Sequence, residues 1–165
     1  SHVVMDMSSR LTGDAISPVL AAIERSGDMA PAAENINVHG AVVAAGWRGV
    51  DVNLADQWRS FDPAEPGEVD ALLGYFFAIR TDIAKRIPPS PKAKFYRNAD
   101  MEWSLALREV GGRLVALELP IQQARHHGYH DSDPQFRDRE AKRNYDRLLQ
   151  RFRGRTELLH PRTTA

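Results

Sequence analysis

The order of the first three segments constrains the fold most. Val3-Val4-Met5-Asp6 reads as a short buried strand ending in a carboxylate, and Met7 to Gly13 as a polar loop. Asp14 then suits the N-cap of a helix, with Pro18 tolerable in the first turn. Ile16, Val19, Leu20 and Ile23 recur at i, i+3, i+4 and i+7, the spacing of one buried helix face, and the pattern ends near Ser26-Gly27. Strand, polar loop and helix in that order open an α/β unit, so the sequence predicts the α/β class.

The remainder continues the alternation. Ala41 to Ala45 and Val50 to Leu54 read as strands punctuated by Gly40, Gly46 and Gly49, and Phe61 to Gly67, with two prolines, reads as a loop. Gly74 to Ile79 is an aromatic-rich strand, and Thr81-Asp82 caps a short helix that stops before Pro88-Pro89. A helix over Asp100 to Val110 carries Trp103, Leu107 and Val110 on one stripe and closes at Gly111-Gly112. Arg113 to Leu119 is a strand ended by Pro120. Asp133-Pro134 starts the last helix, whose buried face is Tyr145, Leu148, Leu149 and Phe152 and whose end is Gly154.

Composition narrows the class. With 165 residues, 42% of them hydrophobic and 27% charged, the chain has the make-up of a globular domain. The longest near-continuous apolar run, Ala71 to Ile79, is too short to span a bilayer. The absence of cysteine excludes disulfides, thiolate metal sites and a cysteine nucleophile. Net charge is zero, from 22 basic and 22 acidic residues, but residues 134 to 165 carry a basic surplus. A basic tail on a neutral-to-acidic body speaks against a nucleic-acid binder.

Three places bear the residue types of a site. Asp6-Met7-Ser8 follows a strand, where α/β sheets bind ligands, although a loop-capping Asp explains it as well. Asn98-Ala99-Asp100-Met101-Glu102 opens a helix. The dipole favours carboxylates there, and Asp100 is equally suited to act as a general base facing a cleft. His126-His127-Gly128-Tyr129-His130-Asp131-Ser132-Asp133 has the ligands that suit Mn2+ or Zn2+, and also the composition of a surface loop. The zinc-protease helix, phosphate-binding glycine loops and the Gly-x-Ser-x-Gly elbow are all missing from the sequence.

Taken in order, these places resemble family 2 glycosyltransferases of the GT-A fold. The resemblance rests on Tyr96-Arg97-Asn98-Ala99-Asp100-Met101-Glu102-Trp103, the helix that follows, Gly111-Gly112, the next strand, Pro120 and His126-His127-Gly128. Upstream, Val3 to Ser8 is similar to the strand ending in that family's Asp-x-Asp, and Val69-Asp70-Ala71-Leu72-Leu73-Gly74-Tyr75-Phe76 to the segment lining its acceptor site. The resemblance implies an inverting transfer from a nucleotide-diphosphate sugar to a hydroxyl of a glycan, lipid-linked or small-molecule acceptor, with Asp100 as catalytic base. It also implies Mn2+ or Mg2+ at Asp6 and His126 or His127, with Ser8 where a second Asp is usual. Acceptor contacts are implied for Asp70, Gly74, Tyr75, Glu102 and Trp103. Ala99 stands where the family has Glu, and Glu102 stands for its later Asp.

The resemblance begins at the Asp-x-Asp strand, so the expectation is a partial GT-A domain over residues 1–131. This would be a mixed sheet flanked by helices, without the nucleotide-binding βαβ half and inactive alone. Residues 132–165 would form a basic amphipathic helix and tail, docked on the body or resting on an anionic membrane surface. An exposed sheet edge would favour self-association. The expected location is cytoplasmic, or peripheral on the inner face of the membrane. The rival reading takes Ser8 and Ala99 as signs of a degenerate, non-catalytic interaction domain.

Overall fold

In the computed structural model, residues 2–5, 9–24, 38, 40–52, 54, 61–89, 99–123 and 134–160 are described. The strands are β1 (His2–Met5), β2 (Ser9–Leu11), β3 (Val42–Gly46), β4 (Gly49–Val52), β5 (Phe61–Ala64), β6 (Gly67–Val69), β7 (Ala71–Leu72), β8 (Phe76–Ile79), β9 (Arg113–Ala116) and β10 (Ile121–Gln123). The helices are α1 (Ile16–Glu24), α2 (Thr81–Arg86), α3 (Ala99–Glu109) and α4 (Pro134–Phe152), and a 3-10 turn follows at Thr156–Leu158.

The architecture is mixed α/β. Five strands pair in the order β1-β8-β3-β9-β6, with β3 and β9 parallel and the other pairs antiparallel. Strands β1, β3 and β9 therefore run the same way. Met5 lies opposite Phe76, and Gly46 opposite both Phe77 and Ala116, so the three carboxyl ends share one edge of the sheet. Two smaller antiparallel units, β5-β4-β7 and β10-β2, complete the strand pairing.

Helices cover both faces. On one, Val19 and Ile23 of α1 pack with Ala45, Phe76 and Ala78. On the other, Trp103 and Leu107 of α3 pack with Val43, Val69, Phe77, Ile79 and Leu114. The far side of α3 is buried too, because Met101, Leu105 and Ala106 meet Val50 and Val52 of β4 and Tyr145, Leu148, Leu149 and Phe152 of α4. Seven consecutive α3 residues, Met101 to Leu107, are buried in consequence. A helix sandwiched in this way needs no single apolar stripe; of the expected one over Trp103, Leu107 and Val110, Trp103 and Leu107 form its sheet side, and Val110 follows the helix end. The expected buried face of α4 is the observed one, and α4 docks on the body of the chain.

Local chemistry explains the helix ends. Asp14 Oδ1 accepts the amides of Ile16 and Ser17 at 3.1 and 3.0 Å, the N-cap geometry. The bonds from Ser17 hold the Asp14 carboxyl below the usual aspartate range. At the end of α3, Gly111 takes φ +84° and the Gly112 amide donates to Leu107 O at 3.0 Å.

Four details differ from expectation. Strand β1 is an edge strand with Val3 44% exposed, not a buried one. Ser9–Leu11, expected as loop, forms β2 because it finds Ile121–Gln123 as a partner. Phe61–Ala64, also expected as loop, pairs with β4 despite Pro63; it sits at the edge of its sheet, where a missing N–H is tolerated. Helix α2 has Arg80 at its N-cap and no side-chain cap bond, so Thr81 does not cap it. No described helix is long and apolar enough to cross a membrane.

Strands β3 and β8 approach closely where β3 ends. A Cβ on Gly46 would lie 2.5 Å from Phe77 Cβ and 2.6 Å from Phe76 O. Gly46→Ala should therefore destabilise the fold by about 1–3 kcal/mol, as overpacking does. Urea unfolding measures this, and an unchanged midpoint would contradict the approach.

Candidate active site at the carboxyl edge of the sheet

Asp100 stands at the start of α3, on the side where β1, β3 and β9 end. It is half-buried. Its Oδ2 accepts the Gly74 amide at 2.8 Å, and its Oδ1 accepts the Met101 amide at 2.9 Å. The positive end of the α3 dipole further stabilises negative charge at this position. Gly74 lies in the turn between β7 and β8, so the carboxylate is tied to the segment that enters the central sheet.

The backbone after β3 brackets that turn. Leu73 N–H donates to Arg48 O at 2.8 Å, and Trp47 N–H to Phe76 O at 3.0 Å. Trp47 and Tyr75 meet edge to face, with ring centroids 6.1 Å apart at 67°. The exposed Arg48 guanidinium lies 4.4 Å from the centre of the Trp47 ring. The neighbourhood thus combines a carboxylate able to take a proton, two half-buried aromatic rings, and an exposed cation.

Two other expected acceptor residues have partners inside the protein. Glu102 is 4% exposed and pairs with Arg147 at 2.6 Å and Arg151 at 3.7 Å, joining α3 to α4. Trp103 donates from Nε1 to Ile87 O at 2.5 Å and meets Phe77 edge to face at 5.6 Å. Both hold α3 in its place. The metal candidates Asp6, Ser8, His126 and His127 lie outside the described residues.

Asp70 is fully buried and belongs to a second cluster. Its Oδ2 accepts the Val52 amide at 2.8 Å and its Oδ1 the His160 amide at 2.8 Å. The His160 ring places Nε2 2.6 Å from Asp51 Oδ1 and 3.8 Å from Asp70 Oδ1. Sequence reasoning missed Asp51 and His160, and also Trp47 and Arg48. Asp51 and His160 are 109 residues apart, with no spacing motif between them. The only available signal was a carboxylate inside the apolar strand Val50-Asp51-Val52.

No protein-family model and no curated protein matches the chain.

Proposed function

We propose that this chain is the acceptor-side part of an inverting glycosyltransferase with a GT-A-like fold, similar to family 2, and that Asp100 is its general base. The observation that carries the reading is the position of Asp100. A half-buried carboxylate, fixed by two amides at a helix N-terminus, stands at the edge where three co-directional strands end. Ligands of α/β sheets bind at such edges.

In this reading Asp100 takes the proton of the acceptor hydroxyl as its oxygen attacks the anomeric carbon, while the bond from that carbon to the diphosphate oxygen breaks. Gly74 N–H and the start of α3 orient the carboxylate for that transfer. Tyr75, adjacent to Gly74 in the chain, offers a half-buried aromatic ring near it for a sugar.

By the resemblance, Asp6 and His126 or His127 would hold Mn2+ or Mg2+, with Ser8 where a second Asp is usual. When bound, the ion neutralises charge on the leaving diphosphate.

The test is release of nucleoside diphosphate, from a panel of nucleotide-diphosphate sugars with Mn2+, by a protein that joins this chain to a nucleotide-binding βαβ half. Acceptor-dependent release supports the proposal. No release from any donor, with or without acceptor, overturns it.

A further inference from the structure

We infer that Asp51, Asp70 and His160 form a second, structural binding site for a transition-metal divalent cation, with Zn2+ as the occupant that its mixed donor set and tetrahedral spacing fit. The site is separate from Asp100 and stands whether or not the chain transfers sugars.

The three donors come from three parts of the fold. Asp51 is on β4, Asp70 at the junction of β6 and β7, and His160 in the segment after α4. Their ligand atoms all lie within 4.8 Å of one another. A tetrahedral shell with bonds of about 2.0–2.1 Å separates its donors by about 3.3 Å. The His160–Asp51 separation of 2.6 Å must open slightly and the His160–Asp70 separation of 3.8 Å must close slightly, so both bracket the required value. The metal takes the place of the proton shared between His160 Nε2 and Asp51.

Each donor is held by contacts outside the cluster. Leu158 is buried, its carbonyl accepts Arg108 Nε, and Gly154 N–H donates to Leu54 O, which together fix the approach to His160. Asp70 is immobilised by the Val52 amide. Asp51 is part-buried, its side chain 29% exposed, so solvent reaches this residue of the cluster.

The mix of one imidazole nitrogen with two carboxylate oxygens selects the occupant. Mg2+ and Ca2+ prefer oxygen-only shells, whereas Zn2+ accepts both donor types and outranks Mn2+ at such sites. The ion would fasten the chain's C-terminal segment to β4 and the β6–β7 junction. That placement makes it a clamp on the fold.

Equilibrium dialysis of the intact chain against Zn2+, with metal counted by mass spectrometry, tests the proposal. His160→Gln and Asp51→Asn should each remove one bound zinc per chain, or weaken that zinc at least about 100-fold. Both variants should keep the wild-type far-UV circular dichroism spectrum. Asp100→Asn should keep the wild-type zinc count, which separates this site from the proposed active site. Zn2+ should raise the melting temperature of the wild type and leave that of His160→Gln unchanged. Equal zinc counts in the wild type and both folded variants, or no zinc bound by the wild type, would overturn the proposal.

Discussion

In a protein that joins this chain to a nucleotide-binding half, Asp100→Asn is expected to lower sugar transfer by about 10^3-fold while leaving the fold intact. General-base catalysis contributes on the order of 10^2–10^4-fold. Asparagine keeps the size of the side chain and one oxygen to accept from Gly74 or Met101, so α3 should hold its position. What it loses is the capacity to take the proton of an acceptor hydroxyl. The rate should therefore fall in the catalytic step, with donor binding close to that of the wild type. Steady-state kinetics together with a donor-binding titration separate the two effects. A variant retaining more than about a tenth of wild-type turnover would remove Asp100 from the role of base.

The second large effect falls on stability. Phe152 is fully buried and packs with Tyr145, Leu148 and Leu149 of α4, Val50 and Val52 of β4, and the outer side of α3. Phe152→Ala should destabilise the protein by about 3–5 kcal/mol, the range for large aromatic truncations in cores. Total stability for domains of this size is about 5–15 kcal/mol, so the variant should be close to unfolding at physiological temperature. The exposed neighbour Gln150 serves as the control, and Gln150→Ala should change stability by less than about 0.5 kcal/mol. Urea unfolding of the two variants gives the comparison. Equal midpoints would mean that α4 is not part of the core.

The same helix shows what the sequence made legible. Tyr145, Leu148, Leu149 and Phe152 follow helical spacing, and all four are buried where that spacing put them. The α/β alternation was legible for the same reason, since strand and helix periods differ and β3, β8, α3 and β9 each carry their own pattern. Pairing partners were not legible. Ser9–Leu11 is a strand only because Ile121–Gln123 lies beside it, and nothing local announces that. The same holds for β5, whose proline argues for a loop until the strand's edge position is known.

At the candidate site, Asp100 was legible as a helix-opening carboxylate and Gly74-Tyr75 as part of the segment beside it. Glu102 was not legible. As a charged residue in a first turn it reads as exposed, yet it is buried because α4 brings Arg147 and Arg151 to it. Charge burial of this kind depends on a partner helix more than 40 residues away, and first-turn position is blind to it. Asp51 and His160 escaped for the same reason at greater range, since only tertiary folding joins β4 to the end of the chain.

We propose that the edge bearing Asp100 carries out an inverting glycosyl transfer. The anomeric configuration of the product tests this, read by NMR from a reaction of a nucleotide-diphosphate sugar, Mn2+ and acceptor with a protein that joins this chain to a nucleotide-binding half. A single carboxylate base and in-line attack predict a product of opposite configuration to the donor, formed by the wild type and not by Asp100→Asn. A product that keeps the donor's configuration, or one formed equally well by Asp100→Asn, would contradict it.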